Sequence, residues 1–150
     1  MKAARFIVIL IVLGGVIYFA ASYLFRPSLI FNGQANLRIG EMAFKLDVAD
    51  TDQKRETGLS GRERMADDEG MIFLFGRSAL WPIWMKGMNF PIDIIWLRNN
   101  RVVDIKTNIP VEDAAVPTRY YSVSEADAVI ELNAGMAERA GIKLGDRIYW

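Results

Sequence analysis

Histidine and cysteine are both absent from the 150 residues of this chain. Without them the protein has no disulfide, no thiol nucleophile, no histidine base and no zinc site of the usual Cys/His kind. A metal could bind only through oxygen ligands, which favours calcium or magnesium. Acid–base chemistry would depend on carboxylates, lysine, tyrosine and hydroxyl groups. The sequence predicts neither a cofactor nor a specific metal site.

An excess of charge is also lacking. Eighteen basic residues balance eighteen acidic ones, and 52% of the residues are apolar. This composition indicates a folded chain rather than a disordered one, and it gives no general attraction to nucleic acid. The length allows one domain with an appendage.

The appendage is the N-terminal segment 1–26. Lys2 and Arg5 precede twenty uncharged residues, 6–25, and Arg26 ends the run. As a helix this run would be about 30 Å long, the thickness of the hydrocarbon core of a bilayer. The distribution of positive charge favours a cytoplasmic N-terminus and a domain outside the cytoplasm. We predict a single-pass anchor held in the lipid bilayer by residues 6–25. The alternative is a signal peptide cleaved near residues 20–22, and in either case residues 27–150 would be exported.

After a short tether, 27–36, a globular domain is predicted over residues 37–150. Apolar and polar residues alternate over 42–48, which indicates a half-buried strand that forms a hairpin with 37–39. A second hairpin joins 91–97 to 101–109, because Asn99 and Asn100 between them tolerate the positive φ of a tight turn. Further strands are predicted over 71–75, 127–132 and 142–150.

Two short helices complete the prediction. Asp50 or Thr51 is expected to cap the first, which stops near Gly58, and Asn133 is expected to cap the second, 134–140, before Gly141. The sum is a mainly β (α+β) domain with an antiparallel sheet. So many strands in so short a domain must hide their edges, so we predict a barrel-like or sandwich arrangement.

Five groups of residues follow one another in a recognisable order: Gly58-Leu59 with Arg62; Glu69 to Phe73; Trp84-Met-Lys86; Phe90 to Trp96; and Glu131 to Gly135 with Gly141-Ile142 and Gly145-Asp146. In this order they resemble the exported family called domain of unknown function 192, over nearly all of residues 37–150. The resemblance implies a compact β-rich domain, often behind a signal or anchor, with no established activity. One form of the family has asparagine and threonine after Trp-Met-Lys, where this chain has Gly87 and Met88.

Carried over by position, the resemblance implies one set of candidate site residues: Trp84, Lys86, Asp93, Glu131 and Asn133, with Met85 as apolar lining. Residues 134–148 also resemble the helix-and-strand sequence pattern of PDZ domains. This resemblance is only local, because the glycine-rich carboxylate-binding loop of those domains is absent.

Each charged candidate has a structural interpretation beside the functional one. Alternation places Asp93 in line with Ile95 and Leu97, where a carboxylate often accepts hydrogen bonds from backbone N–H groups. Lys86 could face a ligand or lie along the ring of Trp84 with its ammonium group in water. Glu131 lies close to a predicted helix N-terminus, which favours an acid without any substrate.

Three of the four tryptophans fall between positions 81 and 96. They belong either to the core or to an aromatic groove that suits a sugar ring or an extended peptide. We therefore predict a binding module that uses the Trp84–Asp93 region, with an envelope glycan, a peptide or a membrane protein as partner and no nucleic acid.

Two alternatives remain. The first is a hydrolase or lyase acting on an envelope polymer, with Asp93 and Glu131 as an acid–base pair and Lys86 stabilising negative charge. The second is an accessory subunit of a membrane complex, in which the anchor makes the contacts.

Overall fold

The computed structural model describes residues 30–31, 33–39, 41–113 and 115–150. The predicted anchor, 6–25, lies outside the described residues. Within them, no helix is both long and apolar enough to cross a bilayer.

The described chain contains nine strands and two short helices, in the order β1 (Ile30–Phe31), β2 (Gln34–Ile39), β3 (Met42–Ala49), α1 (Asp52–Thr57), β4 (Glu69–Ala79), β5 (Ile83–Trp84), β6 (Ile92–Arg98), β7 (Arg101–Ile109), β8 (Arg119–Tyr120), β9 (Ala126–Asn133) and α2 (Met136–Arg139). Seven strands form one sheet in the order β1-β2-β3-β4-β9-β6-β7, and β5 pairs with β8 separately. The mainly β prediction with two short helices is confirmed.

Two details of the predicted architecture need correction. The large sheet is open rather than closed into a barrel or split into a sandwich, because β1 and β7 are its two edges. It is also not purely antiparallel, since β3 and β4 run parallel. The connection between them, which contains α1 and residues 58–68, is long enough to return the chain to the same end of the sheet.

A hydrophobic core covers each face of this sheet, which explains why closure is unnecessary. The first core includes Ile95 and Leu97 and packs against α2 and the C-terminal segment. The second includes Ile92, Ile94 and Trp96 and packs against the segments around α1 and β5. The alternation predicted for β6 is therefore confirmed. Full burial of an aliphatic side chain stabilises by about 2 kcal/mol, so a central strand with two buried faces contributes strongly.

Both predicted hairpins are present. Strands β2 and β3 pair with Leu37 opposite Phe44, and β6 and β7 are joined by Asn99 and Asn100 at φ 49° and 62°. Asparagine reaches this left-handed region at lower cost than most residues, and a tight hairpin requires it at both central positions. The turn thus sets the register of β6 against β7 next to the loop, and two irregularities shift the register farther along the pair.

The helix caps match the predictions only in part. The hydroxyl of Thr51 accepts a hydrogen bond from the backbone N–H of Lys54, and Gly58 ends α1, as expected. Helix α2, however, starts after Gly135, with no side-chain cap, and the Asn133 amide instead donates to the carbonyl of Met65 at 2.8 Å. The prediction that Asn133 caps this helix is therefore wrong: the left-handed Gly135, at φ 82°, delays the helix start beyond its reach.

The end of α2 follows the prediction, but the segment after it does not. Gly141 has φ 69°, and the N–H of Ile142 bonds to the carbonyl of Ala137, which is the Schellman termination that glycine favours. Residues 142–150 form no strand beyond a single bridge between Arg101 and Arg147. A turn at 143–146 interrupts the extended backbone, so the segment wraps over the β6–β7 hairpin instead of joining the sheet.

Candidate functional site

A pocket of about 350 Å³ lies between α1, the loop that follows it, the end of β4 and β5, with β9 beneath. We call this cavity the aromatic pocket. Its lining includes four aromatic side chains and one buried acid: Phe73, Phe75, Trp81, Trp84 and Glu131. Its volume falls within the range of small-molecule sites, and such sites combine apolar walls with a few polar groups.

The aromatic wall is supported by stacking and by arginines. The rings of Phe75 and Trp81 stack with centroids 4.4 Å apart and planes 9° apart. The guanidinium group of Arg77 lies 4.9 Å from the Trp81 ring centroid, and that of Arg119 lies 5.7 Å from the centroid of Trp84. These cation–π contacts each contribute on the order of 0.5–1 kcal/mol at exposed positions, and they help to fix the ring orientations.

Glu131 forms part of the floor of the aromatic pocket because of its register in β9. Its neighbours across the sheet are Met71 on β4 and Ile94 on β6. Val129, two residues earlier on the same face, belongs to the second core. The alternation of β9 therefore points this carboxyl group into an apolar layer, where it is only 4% exposed.

The Glu131 carboxyl has no hydrogen bond or ion pair with any other described residue. Burial raises its pKa to about 8, and the nearby charge of Arg62 offsets this only in part. At neutral pH the group is accordingly a protonated acid, with a donor and an acceptor both available to the cavity. Its oxygens are not shut off from solvent, since among the described residues only the indole Nε1 of Trp96 is both fully buried and without a partner; the carboxyl is therefore open to the cavity and can bond to a ligand or to water.

Arg62 does not supply the missing partner, because it is bound elsewhere. Its guanidinium group pairs with Asp47 at 2.7 Å, and the Gln34 amide donates to the same carboxylate at 3.0 Å. Burial acts to raise the pKa of Asp47, but the hydrogen bonds from Gln34 and Arg62 and the Arg62 charge outweigh it, so this pKa is lowered. The ion pair holds the loop that borders the aromatic pocket without reaching its floor.

Asp93 lies on the opposite face of the sheet from Glu131. It is fully buried, and its two carboxylate oxygens accept hydrogen bonds from the backbone N–H of Asn108 and of Ala137, each at 2.8 Å. Its register partner on β9 is Leu132, whose side chain belongs to the first core. Asp93 thus ties β7 and the start of α2 to the sheet, and it does not converge with Glu131 on one cleft.

The remaining predicted residues separate in the same way. Lys86 is exposed and does not meet the buried carboxylate of Asp93, while its backbone carbonyl accepts a hydrogen bond from the hydroxyl of Ser60 at 2.7 Å. Met85 is fully buried in the second core, and Asn133 holds the loop before β4. Of the six predicted residues, the structure brings only Trp84 and Glu131 together at the aromatic pocket.

Sequence reasoning missed Phe73 and Phe75 as site residues, and it noted Trp81 and Met88 only as members of the cluster between positions 81 and 96. The two phenylalanines are separated by one residue on β4, so the period of two was a signal that they share a face. Helix α1, which supplies Asp52, Arg55 and Glu56 to the pocket, gave no such signal. Among the described residues, no three acidic side chains come close enough together to hold a metal ion.

The fold and the pocket define a small, open-sheet β domain with a buried acid beneath an aromatic wall. The family model DUF192, described as Uncharacterized ACR, matches residues 35–150. This chain belongs to that family, as the resemblance predicted.

Two solved structures share the fold. One is a protein of unknown function from Novosphingobium aromaticivorans DSM 12444, with 32% identity and a TM-score of 0.69, over 78% of this chain and 84% of that chain. The other comes from Sinorhizobium meliloti 1021 and is described as a candidate transcription regulator, with 30% identity and a TM-score of 0.67, over 77% of this chain and 90% of that one. No curated protein matches the chain.

Proposed function

We propose that this protein is a binding module that takes a small ligand into the aromatic pocket. One observation carries the proposal: the Glu131 carboxyl lines the cavity, is 4% exposed and lacks a partner among the described residues. A ligand that supplied a hydrogen-bond partner would take the place of water at this carboxyl group. The site uses Trp84, from the predicted Trp84–Asp93 region, and Glu131, a separately predicted candidate, and it extends to Phe73, Phe75 and Trp81 on β4 and after it.

The lining indicates the general shape of the ligand. Flat or ring-shaped apolar surface would pack against Trp81 and Trp84, and one polar group would reach Glu131. This combination supports the sugar ring or the peptide side chain that the aromatic cluster predicts. A volume of about 350 Å³ limits the occupant to a small molecule or to the end of a larger one.

We further propose that the module works outside the cytoplasm, anchored in the bilayer by residues 6–25. The support is the uncharged run and the positive charges that flank it. Carbonate extraction of cell membranes, followed by N-terminal sequencing, tests this directly. An anchored chain stays in the membrane fraction with Met1 or its neighbour at the N-terminus, whereas a soluble product that starts near Tyr23 would refute the anchor.

A second candidate function has one observation in its favour. A carboxyl group with a pKa of about 8 is close to the range in which general acids and bases operate. However, Asp93 faces the other side of the sheet with both oxygens occupied, and Lys86 is exposed outside the cavity lining. The predicted acid–base pair therefore lacks its second member, and binding is the better supported function.

Alanine variants of the pocket tryptophans test the binding proposal. We expect a fragment screen by ligand-observed NMR, on the full-length protein, to find ring compounds whose binding weakens at least about tenfold in Trp81→Ala and Trp84→Ala. Tyr149→Ala is the matched control, because Tyr149 is a 47% exposed aromatic residue that does not line the pocket. Fragments that bind all variants equally would refute the pocket as the site.

A further inference from the structure

We propose that the ligand of the aromatic pocket carries a protonated primary amine, which binds to the carboxyl group of Glu131. This inference rests on the proposed binding function and assigns the chemical class of the ligand. It depends on the charges that line the pocket, the aromatic faces and the unused oxygens of the buried acid.

The charges of the lining favour a cation. Helix α1 contributes Asp52, Arg55 and Glu56, and the guanidinium group of Arg55 bonds to Asp52 at 2.6 Å and to the carbonyl of Leu74 at 2.6 Å. With that pair neutralised, Glu56 and Glu131 are the charged or ionisable lining groups without an ion-pair partner among the described residues. Both are acids, so once Glu131 gives up its proton the unpaired charge of the lining is negative and complements a positive ligand.

The other cations close to the pocket are committed to different partners. Arg62, in the loop after α1, acts on Glu131 only through its charge, and its guanidinium group is paired with Asp47 at 2.7 Å. Arg77 and Arg119 stack on Trp81 and Trp84 and are not part of the cavity lining. The neighbours of Glu131 on the adjacent strands, Met71 and Ile94, are apolar. No lysine lines the cavity, so a ligand ammonium group would meet no direct competitor at the floor.

The aromatic rings suit the same ligand. Their faces attract cations, and Arg55, Arg77 and Arg119 already lie over Phe75, Trp81 and Trp84; the ammonium group of a ligand would therefore bind at the carboxyl of Glu131, with its apolar part against the rings. A primary ammonium group has three N–H donors, whereas a quaternary ammonium has none, and only the former satisfies the carboxylate oxygens by hydrogen bonds.

Binding of such an amine displaces a proton. The free protein holds Glu131 as a carboxylic acid at neutral pH, since burial raises the pKa to about 8. In the complex the carboxylate pairs with the ammonium group, and the carboxyl proton passes to the solvent. An alkyl amine keeps its own proton up to about pH 10, so between about pH 6 and 8 the affinity should rise about tenfold per pH unit and then level off.

Three probes of the same shape separate the possible ligand charges: phenethylamine, 2-phenylethanol and phenylacetate. We would measure their binding to the full-length protein by isothermal titration calorimetry from pH 6 to 9, in two buffers of different ionisation enthalpy. The expected result is that phenethylamine binds most tightly, releases close to one proton at pH 7 and binds more strongly towards pH 8. Glu131→Gln should weaken phenethylamine at least about tenfold, abolish its pH dependence and leave 2-phenylethanol unchanged.

The outcomes distinguish this inference from the proposed function. If the alcohol or the carboxylate binds the pocket as well as the amine does, or if amine binding weakens as the pH rises from 6 to 8, the amine assignment is wrong and the binding function remains. If no probe binds, the amine assignment is rejected, and the fragment screen with the tryptophan variants decides the binding function. If an amine is confirmed, two further comparisons of affinity distinguish its source. Tighter binding of glucosamine than of N-acetylglucosamine indicates an amino sugar, and tighter binding of pentylamine than of pentanol indicates a lysine side chain.

Discussion

Replacing Glu131 by glutamine should stabilise the folded protein at neutral pH. Glutamine has nearly the same shape as a protonated glutamic acid but cannot ionise. The wild-type side chain carries a penalty that depends on pH, because its pKa rises from the ordinary 4.5 to about 8 when it is buried. The variant removes that penalty and keeps the packing between Met71 and Ile94.

The size of the effect follows from proton linkage. Between pH 4.5 and 8 the unfolded chain loses the Glu131 proton while the folded protein keeps it, so the free energy of unfolding falls by about 1.4 kcal/mol per pH unit. This stability is fully present below pH 4.5, is lost as the pH rises towards 8, and changes no further above 8. The accumulated loss is about 3 kcal/mol at pH 7 and about 5 kcal/mol at pH 8.

Urea unfolding followed by tryptophan fluorescence, at unit intervals from pH 4 to 8, measures this directly. We expect Glu131→Gln and the wild type to agree within about 1 kcal/mol at pH 4. At pH 7 the variant should be more stable by about 3 kcal/mol, which corresponds to a melting temperature roughly 10 °C higher. Glu63→Gln is the control, because Glu63 is exposed in the loop after α1 and its replacement should change stability by no more than about 0.5 kcal/mol at any pH.

The reasoning fails if the two proteins have equal stability at pH 7, or if the wild type gains on the variant as the pH rises from 5 to 8. Equal stability would mean that Glu131 ionises in the folded state at an ordinary pKa, and a wild type that gains with pH would mean that its folded pKa is lowered by a partner. The aromatic pocket would then contain a solvated carboxylate and not a buried acid.

Three other substitutions test the frame around the site by urea unfolding. Asp93→Ala should destabilise by about 2–4 kcal/mol, because it leaves the buried N–H of Ala137 and the partly buried N–H of Asn108 without their acceptor; a change under 1 kcal/mol would contradict this role. Gly70→Ala should destabilise by about 1–3 kcal/mol, since its Cβ would lie 2.6 Å from a backbone oxygen of β9, whereas Gly76→Ala on the same strand has nothing within 4 Å and should not. Thr51→Ala should lower the free energy of unfolding by about 1 kcal/mol, because it removes the N-terminal cap of α1. An unchanged stability would show that this cap does not stabilise the protein.

The parts of the fold that were predictable from sequence are those set by neighbours along the chain. Asn99 and Asn100 fix the β6–β7 turn by their own backbone preference, and alternation assigns each residue of β6 to one face. The parallel pairing of β3 with β4 and the insertion of β9 between β4 and β6 depend on contacts between distant segments. No local pattern encodes such pairings, so an antiparallel, closed arrangement was predicted instead.

The candidate site shows even more clearly that pairing between distant segments cannot be predicted from the sequence. Asp93 and Glu131 lie on adjacent strands, and the alternative hydrolase or lyase hypothesis paired them, but Asp93 is opposite Leu132 and not opposite Glu131. A register difference of one residue reverses the face of a side chain, and register across a long connection cannot be read from sequence. Trp84 and Glu131 were identified, whereas the pocket that joins them is built from segments more than seventy residues apart.

The most direct measurement of the central claim is a ¹³C NMR titration of the side-chain carboxyl of Glu131 in glutamate-labelled protein, with the signal assigned by its absence in Glu131→Gln. The account predicts a midpoint near pH 8 in the ligand-free protein. A midpoint near 4.5 would contradict it, because the carboxyl group would then be charged at neutral pH and the pocket would have no buried acid for a ligand to meet.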